Sequence, residues 1–203
     1  NCGSCKDICP SLNNTTIFLE PKSAFAFQAL SNDRKIQKES ASGGAFTYIA
    51  EKVINKNGVV FGCSWTDSFK AEHICITDKQ SLNRLQKSKY IQSNTKDTFE
   101  QAKTYLDNGI LVLFSGTPCQ IAGLKSYLKD DYSNLITVDV VCHGVPSQKL
   151  FDDYLMNKRL TKKKKLIELE FRTTNPKKPK YDGNEWWKDN SNSIQLKPLI
   201  WQN

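Results

Sequence analysis

The sequence predicts an α/β fold, a mostly parallel or mixed sheet flanked by helices, with a short cysteine-rich stub at its start. Three observations carry this. Ile110-Leu111-Val112-Leu113-Phe114 is an uninterrupted apolar run, as expected of a strand covered on both faces. Strand-like runs of this kind alternate with segments whose apolar residues recur at helical spacing. Cys2, Cys5 and Cys9 crowd into the opening residues, ahead of any such pattern.

Taken in order, residues 11–39 read as an irregular lead-in, with polar Asn13-Asn14-Thr15-Thr16 and Pro21. Ala45, Phe46, Ile49, Ala50, Val53 and Ile54 predict a helix from Gly44 to about Lys56, stopped by Asn57-Gly58. Val59-Val60-Phe61 reads as a short buried strand, His73-Ile74-Cys75-Ile76 as another, and Ser81–Lys87 as a short helix. Phe99, Ala102, Tyr105 and Leu106 mark a helix that ends at Asn108-Gly109. After the apolar run, Ser115-Gly116 turns the chain. Thr117 then fits an N-cap and Pro118 the first helical position, ahead of Ile121, Leu124 and Leu128. Leu135 to Val141 is the next strand, Phe151, Tyr154 and Leu155 mark the following helix, and Ile167 to Phe171 is a last strand. Residues 173–203 are lysine-rich and poorly patterned, an irregular basic tail.

A chain of 203 residues can bury the core of one domain, or of two small ones sharing an interface. No window approaches the roughly 18 consecutive apolar residues of a membrane span, and no signal segment opens the chain. It begins Asn1-Cys2-Gly3 and stops at Trp201-Gln202-Asn203, and both ends read as cuts. The net charge of +8 gathers in Lys162–Lys165 and between Arg172 and Lys180. A solvated helix end and basic loop account for it, and so does a surface for acidic partners or anionic cofactors. No nucleic-acid module accompanies the charge, so neither nucleic acid nor membrane is an expected partner.

Seven cysteines in this layout favour a metal site plus reduced thiols, and hence a cytoplasmic, reducing compartment. Cys63 and Cys75 read as buried small hydrophobes. The run Cys2-x2-Cys5-x3-Cys9-Pro10 matches the last three cysteines and the proline of the bacterial ferredoxin pattern. Cys2, Cys5 and Cys9 are therefore candidate ligands of a 4Fe-4S cluster, and residues 1–20 a partial ferredoxin-type motif. A zinc knuckle is the competing reading, and no second cysteine or histidine pair follows nearby to complete one.

Ser115-Gly116-Thr117-Pro118-Cys119-Gln120 stands where a buried strand hands over to a helix, the place where open α/β sheets bind ligands. Cys119 is placed either to act as a nucleophile or to pack the helix start. Val141-Cys142-His143-Gly144-Val145-Pro146 repeats that placement one strand later, with His143 either a redox-site residue or a structural one. His73, with no partner in sequence, reads as structural. Ser42-Gly43-Gly44 is a small-residue loop opening a helix, able to let a phosphate or flavin approach the backbone. Lys89-Tyr90-Ile91-Gln92-Ser93 joins charge, aromatic and amide groups in one extended segment.

These segments occur together in a specific order. It runs from the cysteine run through Ser42–Phe46, Val60-Phe61-Gly62 and Ser88–Ser93 to Leu113–Leu124, Val141–Ser147 and Phe171-Arg172. In this the chain resembles the beta-subunit family of coenzyme F420 hydrogenase and dehydrogenase, over most of residues 1–172. The resemblance implies ferredoxin-type 4Fe-4S clusters and FAD, with electrons passing from cluster to FAD to coenzyme F420 or another soluble carrier such as ferredoxin. It implies Cys2, Cys5 and Cys9 as cluster ligands. It places Ser42, Gly43, Gly44, Lys89, Tyr90, Gln92, Ser93, Ser115, Gly116, Thr117, Pro118 and Gln120 around the flavin. Cys119 and His143 are the candidate catalytic residues. It also implies a division at 21–93 and 94–172 into N- and C-terminal parts of the α/β region, and other redox subunits as partners. A non-catalytic metal-binding module whose basic tail docks an acidic partner is the alternative, and a thiol enzyme built on Cys119 a third.

Overall fold

The computed structural model describes residues 33–162 and 165–172, together with the backbone of 183–188 and 194–199. Cys2, Cys5 and Cys9, the lead-in before Asp33 and the basic stretch after Arg172 up to Asp182 lie outside the described residues.

Four strands make the central sheet: β1 (Val59–Trp65), β2 (Ala71–Ile76), β3 (Val112–Gly116) and β4 (Leu135–Asp139), in the order β2-β1-β3-β4. β1, β3 and β4 run parallel, and β2 pairs antiparallel with β1, so the sheet is mixed. The antiparallel pair follows from a short hairpin, closed by Thr66 N–H donating to Lys70 O and Phe69 N–H to Thr66 O, both at 2.9 Å. Connections this short join only antiparallel strands.

Helices cover both faces. α1 (Arg34–Glu39) and α2 (Ala45–Ile54) precede the sheet; α3 (Thr98–Asp107), α4 (Pro118–Leu128) and α5 (Gln148–Lys162) alternate with its strands. Side chains alternate across a strand. Val59, Phe61, Val112 and Phe114 accordingly pack on α3 and α4 through Ala102, Leu106, Ile121 and Leu124. Val60 and Leu113 pack on α2 through Ala50 and Val53. This is why the run Val112–Phe114 is apolar at every position. A third cluster docks Phe151 and Leu155 of α5, with Leu166, Leu169 and Phe171, onto Trp65 and Phe69 of the hairpin.

Three expectations are corrected. The lead-in, expected to be irregular up to residue 39, ends in α1, whose start is capped by the Asp33 carboxylate accepting from Lys35 N–H at 2.7 Å. The short helix expected over Ser81–Lys87 is a 3-10 turn over Gln80–Arg84. The tail, expected to be irregular, contributes β6 (Gly183–Lys188) and β7 (Ile194–Leu199), which join β5 (Lys165–Glu170) in an antiparallel sheet of order β5-β6-β7. The adjacent tryptophans at 186 and 187 and the alternation Ile194-Gln195-Leu196-Lys197 are strand chemistry, outweighed in the sequence by the surrounding lysine and asparagine.

Candidate functional site

The carboxyl ends of β1, β3 and β4 lie along one edge of the sheet, where Gly116 sits opposite Asp139. At this edge the Ser115–Gln120 turn is built by local chemistry. Thr117 is the N-cap of α4, Pro118 opens the helix, and a capping box closes it, with Thr117 N–H donating to Gln120 Oε1 at 3.0 Å. The turn is tied to the next strand by Val140 N–H donating to Gly116 O at 2.9 Å. Gly116 allows this crowding, since a Cβ there would lie 3.2 Å from Gln120 Cβ and Oε1.

The segment from Lys89 to Ser93 lies alongside. Asn94 N–H donates to Ala71 O and His73 N–H to Asn94 O, both at 2.9 Å, which lays the end of the segment against the start of β2. Ser93 meets the turn directly: the Gln120 amide donates to Ser93 Oγ at 2.9 Å. Gln92 N–H donates to Pro146 O at 2.9 Å and so draws in the Cys142–Pro146 loop. Lys89 directs its ammonium back at its own turn, 3.0 Å from Arg84 O and 2.6 Å from Gln86 O. Burial pushes the Lys89 amine down to about 8, against the favourable field of Cys63. Tyr90 is half exposed, its ring 5.5 Å from that of Phe171.

At the start of α2, Gly44 is the N-cap residue, with φ 85° and no side-chain cap. Ser42 is exposed and Gly43 partly so. Gln86 donates to Thr47 Oγ1 at 3.2 Å, linking the first turn of α2 to the turn that Lys89 closes. Ser40 is buried beside this loop, and its hydroxyl has no hydrogen-bond partner among the described residues.

Three of the four expected segments thus meet at one edge, and the fourth joins them through Gln86. No hydrogen bond joins the two candidate catalytic residues. Cys119 is exposed with its Sγ 3.1 Å from Thr117 Oγ1, and His143 is exposed and makes no hydrogen bond among the described residues. His73, read as structural, is buried at 3% exposure with both ring nitrogens engaged, 3.0 Å from Ser115 O and 3.0 Å from Ser93 Oγ. It therefore stands between two of the expected segments. A histidine inside an otherwise apolar strand was the only trace of this in the sequence.

A groove of about 630 Å³ opens beyond the carboxyl end of β1, lined by Trp65, Phe69, Arg84, Lys87, Lys89 and Glu170 among others. Its volume is that of a small-molecule site. Of the expected flavin residues only Lys89 lines it. Among the described residues no group of three or more His, Cys, Asp or Glu side chains is arranged for a metal, and Cys63, Cys75, Cys119 and Cys142 are free thiols. No helix among them is long and apolar enough to cross a membrane.

Known proteins place this arrangement. The family model for the N-terminal part of the coenzyme F420 hydrogenase/dehydrogenase beta subunit matches residues 26–99, and the model for its C terminus matches residues 110–201. No curated protein sequence matches the chain. In fold it is similar to a chain of the xenon-derivatised F420-reducing NiFe hydrogenase complex from Methanosarcina barkeri, with a TM-score of 0.54 and 16% identity over 83% of this chain. It covers 58% of the length of that chain. The two family models between them take in every described element from α1 to β7 except α3, of which only the first two residues are matched, and the chain belongs to the coenzyme F420 hydrogenase/dehydrogenase beta subunit family, a family of oxidoreductase subunits in electron transfer.

Proposed function

We propose that the chain is an iron–sulfur flavoprotein unit that passes electrons between a 4Fe-4S cluster, FAD and a soluble carrier, either ferredoxin or coenzyme F420. The observation that carries the proposal is the meeting of Lys89–Ser93, Ser115–Gln120 and Cys142–Pro146 at the carboxyl edge of the sheet, in a chain of this family. Ligands of open α/β sheets bind at that edge.

The residues present fit a flavin nucleotide. α2 begins at Gly44 without a side-chain cap, so its first N–H groups suit a phosphate. The Ser40 hydroxyl, buried without a partner beside them, suits one of the phosphate or ribitol oxygens. Ser42–Gly44, Lys89–Ser93 and Ser115–Gln120 would then line the cofactor. Gln120 and Ser93, bonded to one another, would hold its wall, with the exposed Cys119 beside them. Cys2, Cys5 and Cys9 would hold the cluster through their thiolates. When bound, the cluster supplies single-electron transfer and the flavin supplies two-electron hydride chemistry.

The net charge of +8 favours an acidic carrier protein or an anionic coenzyme tail, and other redox subunits are the proposed partners, in the cytoplasm. The test is the visible spectrum and metal content of protein purified without oxygen. Flavin bands over broad iron–sulfur absorption are expected. A colourless protein containing zinc sinks the proposal.

A further inference from the structure

Hydrogen-bond direction can be followed from one end of the site to the other. Ser115 O is a carbonyl and only accepts, so the His73 nitrogen 3.0 Å from it, Nε2, carries the proton. In a neutral imidazole Nδ1 is then the acceptor, and Ser93 Oγ–H, at 3.0 Å, donates to it. With its proton committed, Ser93 Oγ accepts, and the Gln120 amide nitrogen at 2.9 Å supplies the donor. This fixes the Gln120 side chain: its Oε1 faces Thr117 N–H at 3.0 Å and completes the capping box of α4. Thr117 Oγ1 lies 3.2 Å from the same Oε1 and 3.1 Å from Cys119 Sγ, which continues the series to the exposed thiol. The imidazole itself is stacked on Phe114, centroids 5.5 Å apart and planes 13° apart, so it does not turn over freely.

We infer that His73 is the positioning residue of this site: as the neutral Nε2–H tautomer it sets the direction of the Ser93 hydroxyl, and through Ser93 and Gln120 it holds the Lys89–Ser93 segment against the Ser115–Gln120 turn. A histidine that merely filled the core would need a partner for its polar atoms, but not two partners on the two segments that form the wall. The inference rests on the proposed flavin site for its consequence, and on the hydrogen-bond geometry for the assignment itself.

The experiment uses the full chain and two substitutions that each keep half of the imidazole. In His73→Asn the side-chain oxygen takes the place of Nδ1 and still accepts from Ser93. In His73→Gln the amide nitrogen takes the place of Nε2 and still donates to Ser115 O. Nitrogen-15 spectra of the wild-type imidazole should show a proton on Nε2 only, with the Nδ1 resonance moving in Ser93→Ala. FAD affinity, read by flavin fluorescence, should survive His73→Asn and fall about tenfold in His73→Gln, the factor set by one buried hydrogen bond. Both variants should melt at similar temperatures. A proton on Nδ1, or equal FAD affinity in the two variants, overturns the inference. A wild-type chain that takes up no FAD overturns the flavin reading instead, and the tautomer and its response to Ser93→Ala then decide for or against His73.

Discussion

The His73 ring bridges Ser93 Oγ and Ser115 O, 3.0 Å from each, across a β-strand and a strand–helix turn that lie 42 residues apart in the chain. Burial lowers the pKa of this imidazole below 6.5, and the bond to Ser115 opposes the fall. The groups around it are Cys63 opposite on β1, Ser93, Gln120 and Phe114; Lys89 lies beyond Cys63, and the neighbouring Glu72 is paired with Lys96. As pH falls through 6.5 the unfolded chain takes a proton on His73 that the folded chain refuses, so this group's contribution is complete above that pH and fades below it. Urea midpoints taken from about pH 8 down to 5 should drop more steeply for the wild type than for His73→Gln. Parallel curves would mean that His73 is charged in the folded protein.

Gly116 and Gln120 are matched to one another. A Cβ at position 116 would meet Gln120 Cβ and Oε1 at 3.2 Å, and Gln120 cannot swing aside because Thr117 and Ser93 hold both ends of its amide. Gly116→Ala should therefore cost about 1–3 kcal/mol. The loss should shrink by about 1 kcal/mol in a Gln120→Ala background, where the Oε1 contact is gone, the Cβ contact alone remains and the cap is already broken. Chemical denaturation of the four members of the cycle measures both. Additive losses would place the strain elsewhere.

What the sequence could and could not reveal follows from how far apart the partners lie. Thr117-Pro118 was legible as a helix start because every group of the capping box lies within four residues. The apolar run at 110–114 was legible as a strand, but the strand begins at Val112. The Asn134 amide takes the carbonyls of Leu106 and Ile110, at 3.0 and 2.9 Å, and so keeps that corner out of the ladder. No local pattern announces such a bond. The β6–β7 pair was missed because its pairing is its main signal, set against a lysine-rich composition. Ser42, Lys89–Ser93 and Ser115–Gln120 were legible as separate small-residue or polar segments, but His73, which connects two of them, reads as a lone core histidine until the strand register is known.

The free thiols should differ in reactivity for reasons of burial. Burial pushes the Cys75 thiol up to about 11 and raises that of Cys63 as well, where the Lys89 charge opposes it. Both then hold little thiolate near neutral pH, and neither is well exposed. Cys119 is exposed at the start of α4. Brief treatment of the folded chain with iodoacetamide at about pH 8 should modify Cys119 well before Cys63 or Cys75, read by mass spectrometry of the separate peptides. Equal labelling of Cys75 would show that β2 opens in solution.

Among the described residues, an apolar cluster and an ion pair join β5 to the α/β core, and their expected worth differs. Phe151 of α5 is 1% exposed, with its ring 5.8 Å from Trp65 and 6.3 Å from Phe171, so it touches the hairpin and the end of β5 at once. Truncating a buried phenylalanine costs about 3–5 kcal/mol. The Lys87 ammonium lies 2.7 Å from Glu170 Oε1; the glutamate side chain is 10% exposed but the lysine is 40% exposed, and a pair with one partner in solvent is worth about 1 kcal/mol. Phe151→Ala should therefore release β5 and make the chain after residue 160 sensitive to dilute protease, while Lys87→Met should leave the cleavage pattern unchanged. The reverse ranking would mean that β5 is held electrostatically, and raising the salt concentration would then free it in the wild type.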